Sequence, residues 1–312
     1  MRLETGARPA IRNVTIIVNP KAGIGLRRLQ VARLANLLRA RGMGVQICET
    51  ERAGDGARLA RAVSADTWAV VASGGDGTIA EVVCGLLDRQ IPVGLLPAGT
   101  ENLLARELGY RRKDLRQIAA AVDARRTCMV DVCLRNQVPY LIVAGVGFDA
   151  EVVHRFGCRR GSRHATYTDW IEPIWRTLMT HRFAVLEVEL DGKPVFSGQA
   201  QVFVGNVRSF AMDLNPLSRA VVDDGLLDLC ILPSRNVIQL AGHLLATMLR
   251  VHPRWNRAIY LKGHRVRIHS PAGPVPVETD GDAAGFLPVE LSVLPRKCPI
   301  IVPSDDGRVG HG

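Results

Sequence analysis

From Val14 to about Ala121 the chain alternates two hydrophobic rhythms. Short runs rich in β-branched residues, VTIIVN (14–19), GVQICE (44–49), TWAVVAS (67–73) and PVGLLP (92–97), predict strands. Between them apolar residues recur at helical spacing and predict helices over Leu26–Arg41, Asp55–Val63, Thr78–Leu87 and Asn102–Leu108. Such alternation predicts a parallel sheet with helices on its faces. Each predicted strand runs into a polar or glycine-rich turn before its helix, so these turns gather at the carboxyl edge, where open α/β sheets hold their ligands.

After about residue 128 the rhythm changes to short alternating strands. In FAVLEVELDGKPV (183–195), Ala184, Leu186, Val188 and Leu190 face one side, Glu187 and Glu189 the other, and Asp191-Gly192 reads as a hairpin turn. RVRIHS (265–270) repeats the device, with Arg265, Arg267 and His269 on a solvated face. Helical spacing returns over Thr168–Thr180 and Val237–Arg250. The pattern predicts two domains, an α/β layer over 1–125 and a mainly antiparallel β-sandwich over 126–302, followed by a loose tail at 303–312.

A chain of 312 residues with 47% hydrophobic content can bury a core of that size. Its apolar stretches are too short or too interrupted to span a bilayer, and the N-terminus lacks the apolar segment of a secretory signal, so a cytoplasmic protein is expected. The seven cysteines are scattered singly, without a C-x-x-C, which argues against a disulfide framework or a zinc site. The net charge of +10 favours anionic partners. Charge alone does not choose among membrane, nucleic acid and phosphorylated small molecules. The Arg155–His164 segment, with two glycines and little apolar periodicity, reads as a basic loop facing the membrane.

The chemistry concentrates in SGGDGT (73–78), a turn between a strand and a helix. Gly74, Gly75 and Gly77 let backbone amides approach an anion, and the following helix adds its positive end, which makes a phosphate cradle. Asp76 would repel a phosphate unless a divalent cation lay between them, so a metal-bound nucleoside triphosphate resolves the conflict. VNPKAGIG (18–25) and LLPAGTENLLAREL (95–108) place comparable turns after the first and fourth predicted strands. A Walker-type G-x-x-x-x-G-K-[ST] and a dinucleotide-type G-x-G-x-x-G are both missing.

Taken in order, VNPKAGIG, SGGDGT, PAGTENLLAREL, GVGFDAEVV, DDGLLDL and ETDGD resemble the catalytic domain of the diacylglycerol kinase and sphingosine kinase superfamily, particularly its soluble bacterial lipid kinases. The resemblance implies an α/β nucleotide domain, a β-sandwich domain and an active site in the cleft between them. It implies transfer of the ATP γ-phosphoryl group to a lipid hydroxyl, with magnesium. The implied nucleotide contacts are Asn19, Pro20, Lys21, Ala22, Gly23, Thr50, Ser73, Gly74, Gly75, Asp76, Gly77, Thr78, Thr100 and Asn102, with Asp76 acting through magnesium. In that family a second, structural magnesium is held by one carboxylate and two carbonyls, matching Asp224, Val221 and Leu226. The catalytic acids match Asp280 and Asp282, either of which could be the base.

The chain departs from the family pattern at Glu101, at Leu103, at Asp282, where Glu is usual, and at VRSFAMDL (207–214). A diacylglycerol-like acceptor at an anionic membrane surface is the expected partner, with peripheral attachment at the inner face of the membrane, no nucleic acid, and a homodimer left open. A kinase of a soluble metabolite such as NAD and a binding module without turnover are the alternatives.

Overall fold

The computed structural model describes residues 12–22, 27–110, 114–157, 167–211, 214–252 and 258–303. Strands β1 (Arg12–Val18), β2 (Met43–Glu49), β3 (Ala69–Gly74) and β4 (Val93–Pro97) form a parallel layer in the order β2-β1-β3-β4. All of β3 and the last five residues of β1 are buried, which is why both read as continuous apolar runs rather than alternating ones. Helices α1 (Arg27–Arg39), α2 (Asp55–Ala62), α3 (Asp76–Leu86), α4 (Leu103–Glu107) and α5 (Leu115–Ala124) connect and cover the strands. Helix α1 turns Val31, Leu34, Ala35 and Leu38 into the core, the stripe its spacing predicts.

One helix start and two elements differ from expectation. Helix α3 starts at Asp76 rather than Thr78, because Gly75 in extended conformation already serves as the N-cap. Helix α5 was not predicted. Its buried face of Ile118, Ala119, Ala121 and Val122 is largely alanine, which gives little hydrophobic contrast, and it starts where the Asp114 carboxylate accepts the Gln117 amide. The second unpredicted helix, α6 (Phe148–Gly157), takes in Arg155 to Gly157 of the expected basic loop, and residues 158–166 lie outside the described residues.

The remaining elements are β5 (Thr127–Arg135), β6 (Val138–Tyr140), β7 (Val143–Val146), α7 (Tyr167–Thr180), β8 (Val185–Leu190), β9 (Lys193–Gly205), β10 (Leu227–Pro233), α8 (Val237–Met248), β11 (Ile259–Gly263), β12 (Arg265–His269), β13 (Pro276–Thr279), β14 (Asp282–Phe286) and β15 (Val289–Ile301). Apart from one parallel contact, they pair antiparallel in two packed sheets. Strand β9 belongs to both, pairing with β8 along its first half and with β7 and β10 along its second. Leu186, Val188, Val266, Ile268 and Leu291 from one sheet share a buried cluster with Val202, Val204, Leu229, Ile231 and Val277 from the other. The predicted alternation holds: Arg265, Arg267 and His269 are exposed while Val266 and Ile268 are buried. Asp191 and Gly192, at φ 50° and 77°, make the two-residue turn between β8 and β9.

Strand β15 joins the halves. Its start pairs with β12, most of its length with β5, and Ile300 pairs in parallel with Val93 of β4. Tyr110 reinforces the junction: its buried hydroxyl donates to the Ile301 carbonyl and accepts the Leu95 amide at 3.3 Å. Among the described residues no helix is long and apolar enough to cross a membrane. Tyr110→Phe leaves two buried backbone groups unpaired and is expected to cost about 1–3 kcal/mol, seen as a lower urea midpoint with an unchanged slope.

Candidate active site

The strand order β2-β1-β3-β4 sends the turns after β1 and β3 to opposite sides, which opens a crevice at their carboxyl ends. Asn19 bridges it. Its amide donates to the Ser73 carbonyl at 2.9 Å, its Nδ2 donates to Thr78 Oγ1 at 3.1 Å, and its Oδ1 accepts the Lys21 amide at 3.0 Å. The sequence Pro20-Lys21-Ala22 forms the turn, closed by the Ala22 amide on the Asn19 carbonyl, and Lys21 Nζ donates to the Glu51 carbonyl beside Thr50. Gly23 lies outside the described residues. Thr50 is buried and its amide donates to the Val18 carbonyl. Glu81 was not anticipated: its carboxylate accepts the Gly54 and Gly56 amides at 2.8 and 2.9 Å and fixes the loop beyond Thr50.

Close backbone approach explains two of the glycines. A Cβ on Gly74 would lie 2.4 Å from Thr78 Cβ, and one on Gly99 would lie 2.6 Å from the Gly75 Cα, so the turns after β3 and β4 touch through their backbones. Asn102, at φ 52°, uses both ends of its amide on that loop, accepting from the Gly99 amide at 2.7 Å and donating to its carbonyl at 2.8 Å. It therefore shapes the turn, while Thr100 is exposed at its tip. The Ser73 side chain is wholly buried and contributes to the crevice only through its backbone.

Asp76 does not cap its own helix. Its Oδ1 accepts the Leu104 amide at 3.4 Å, so the carboxylate ties the first turn of α3 to α4. Burial raises its pKa, against the pull of the amides of Leu103, Leu104 and Asn102, and the Glu101 charge raises it further. Glu101 itself pairs with Arg106 at 3.7 Å.

The two acids of the β13–β14 turn separate cleanly. Asp280 is held at φ 53°, with Oδ2 accepting the Leu141 amide at 2.8 Å and Oδ1 accepting those of Ile142 and Val143 at 2.8 and 3.1 Å. Burial pushes it up to about 6 despite these donors, and the Asp76 charge adds to the rise. Asp282 is exposed, and its Oδ2 would lie 3.8 Å from a Cβ on Gly77. An acid of the second half thus stands beside the glycine turn of the first.

The third predicted set lies elsewhere. Val221, Asp224 and Leu226 belong to a turn packed on β5 and β11, where Asp131 accepts the Gly225 amide at 2.7 Å and donates its own amide to the Val222 carbonyl. Both Asp224 oxygens already have protein partners: Oδ1 accepts the Leu226 amide at 3.1 Å and Oδ2 pairs with Lys262 Nζ at 2.8 Å. A metal on this carboxylate would have to share it with the Lys262 ammonium at 2.8 Å, a cation beside a cation, so the residues as placed fit the implied structural magnesium poorly. Asp131 and Asp228, both wholly buried, were also missed. A lone acid inside an apolar strand, as in MVDVCL and LLDLCIL, is the signal that could have found them.

Comparison with known proteins gives the family and the fold. Residues 13–134 match the family described as diacylglycerol kinase catalytic domain, and residues 141–302 match the YegS C-terminal NAD kinase beta sandwich-like domain. Diacylglycerol kinase of Bacillus subtilis (strain 168) is 26% identical over 299 residues, covering 95% of this chain and 98% of that protein. Diacylglycerol kinase of Staphylococcus haemolyticus (strain JCSC1435) is 28% identical over 295 residues, covering 93% and 88%. A crystal structure of a diacylglycerol kinase from Bacillus anthracis str. Sterne has the same fold, with a TM-score of 0.71 at 20% identity over 95% of this chain and 98% of that one. The chain belongs to the diacylglycerol kinase family of lipid kinases, with a catalytic domain of that type followed by a YegS-type β-sandwich.

Proposed function

We propose that this kinase transfers the γ-phosphoryl group of magnesium-bound ATP to the hydroxyl of a diacylglycerol-like lipid. The observation that carries the reading is the Asp282 carboxylate standing beside Gly77 in the first turn of α3. The glycine turns and the amides at the start of α3 fit a polyphosphate. Asp76 and Asp280 raise one another's charge cost across the crevice, and a divalent cation relieves that repulsion, which supports magnesium beside Asp76. When bound, magnesium offsets phosphate charge as transfer proceeds.

The residues then divide the work. Asn19, Gly74, Gly75, Gly77 and Thr78 hold the phosphates, and Lys21 and Thr100 flank them. Asp282, exposed at the mouth, takes the proton from the acceptor hydroxyl. Asp280 has both oxygens committed to backbone amides, so it positions Asp282 rather than acting as the base.

An acceptor dissolved in a bilayer also requires a face that meets lipid. Helix α8 supports that role; of the expected basic loop only Arg155 to Gly157 are described, and Arg155 is paired with Glu151 at 2.6 Å. Ile238 is 84% exposed, and Leu245, Met248 and Leu249 are exposed on the same helix or at its end. The helix carries no acid, and exposed Arg235 and Arg250 bracket it, which matches an anionic bilayer.

Purified protein with labelled ATP and mixed-lipid vesicles is expected to give magnesium-dependent labelled lipid, and Asp76→Asn to abolish it. Labelling of soluble acceptors alone would overturn the lipid assignment. Asp282→Asn is expected to lower kcat by about 10²–10⁴ with little change in melting temperature. Asp280→Ala, in contrast, should lower the melting temperature itself. Ile238→Ser with Leu245→Ser should weaken co-sedimentation with anionic vesicles while transfer to detergent-dispersed lipid persists; unchanged co-sedimentation would refute the α8 face, and a loss of dimer on light scattering would give that face to a second copy.

A further inference from the structure

The turn at Val221–Leu226 concentrates negative charge. Asp131, Asp224 and Asp228 lie within electrostatic reach of one another: the Asp224 charge raises the pKa of both other acids. Asp131 and Asp228 have no exposed surface. Burial pushes Asp228 up to about 6 even with the Tyr260 hydroxyl donating to Oδ1 at 2.5 Å. Such a cluster is relieved by a retained proton or by a shared cation.

Lys262 supplies one. Its Nζ lies 2.8 Å from Asp224 Oδ2 and 3.3 Å from Asp228 Oδ2, bridging the turn and the strand behind it. The placement is set by the sheet, because Lys262 on β11 is the direct cross-strand partner of Asp228 on β10. The side chain is 29% exposed, so it reaches inward along the sheet and remains charged, its pKa raised by both acids although burial opposes this. Each Asp224 oxygen is already engaged, by the ammonium and by the Leu226 amide.

We propose that Lys262 is a built-in structural cation, which takes over in this chain the charge-neutralising role of a divalent metal at the Val221–Leu226 turn. The ammonium ties β11 to the turn, and Asp131 ties the turn to β15 through the Gly225 and Arg296 amides. The folded chain accordingly needs no bound divalent ion. For the proposed reaction, the divalent requirement comes with the nucleotide alone.

The test is thermal melting of the whole chain without nucleotide, so its outcome is independent of the catalytic reading. The wild-type melting temperature is expected to be the same in EDTA, Mg²⁺ and Ca²⁺, and Mn²⁺ titration followed by electron paramagnetic resonance should show no stoichiometric site. Lys262→Met should lower the melting temperature by about 5 °C or more, with divalent ions restoring part of the loss. Lys262→Met with Asp224→Asn should melt above the single variant, because the excess charge is removed. A divalent-ion rise in the wild-type melting temperature or a stoichiometric Mn²⁺ site, either of them lost in Asp224→Asn, or a Lys262→Met variant that melts like wild type, would each overturn the proposal; a site kept in Asp224→Asn belongs to the crevice acids Asp76 and Asp280 and leaves the decision to the Lys262→Met melting temperature. If Lys262→Met does not fold, the two wild-type measurements, read against Asp224→Asn, still decide it.

Discussion

The position of the candidate site rests on one buried carboxylate. Asp280 accepts three consecutive backbone amides, Leu141 to Val143, and its own amide donates back to the Val143 carbonyl. These bonds pin the β13–β14 turn to the start of β7, and the next residue but one, Asp282, is thereby delivered to Gly77. The anchor has a thermodynamic cost. Its pKa of about 6 lies above the usual carboxylate range, so between about pH 4 and pH 6 the folded chain binds a proton that the unfolded chain releases. By linkage, ionising Asp280 lowers stability as pH rises through that window. At neutral pH the ionised form costs more than the protonated one would, and the three amide donors are what hold the carboxylate in place.

That geometry would be lost if the two halves moved independently. They are instead joined by strands that serve both. Strand β15 begins against β12 in the sandwich and ends beside β4, and Ile300 and Ile301 join the same core as Val93 and Val122. Strand β5 follows it along almost its full length. The crevice at β1 and β3 and the turn carrying Asp282 are therefore connected through a continuous hydrogen-bonded sheet.

The strands of the first half and its helices other than α5 were legible because β-branched runs and amphipathic stripes are local signals, and the glycine turns marked an anion-binding chemistry in a few residues. The division of labour between Asp280 and Asp282 was not legible. It depends on amides about 140 positions away that only the fold brings near. Asn102 and Ser73 depend on the fold in the same way: their residue types suit phosphate binding, while the Asn102 amide bonds Gly99 and the Ser73 side chain is sealed in β3. Nothing in the sequence singles out Lys262, since its meaning comes from the β10–β11 register.

A second buried acid pair shows how the molecule limits the charge beneath its site. Glu278 Oε2 accepts the Gly281 amide at 2.8 Å, and its Oε1 points toward Asp149, whose Oδ1 accepts Gln201 Nε2. A Cβ on Gly145 would lie 2.0 Å from Asp149 Oδ2 and 2.7 Å from Glu278 Oε1, so these two oxygens share one small space. Burial and mutual repulsion raise Glu278 strongly, and burial raises Asp149. Two such carboxylates cannot both ionise, so one keeps its proton and can donate it to the other. Shared in this way, the pair adds one negative charge instead of two below the Asp280 turn. Asp282, the acid proposed to take the acceptor proton, is left exposed at the crevice.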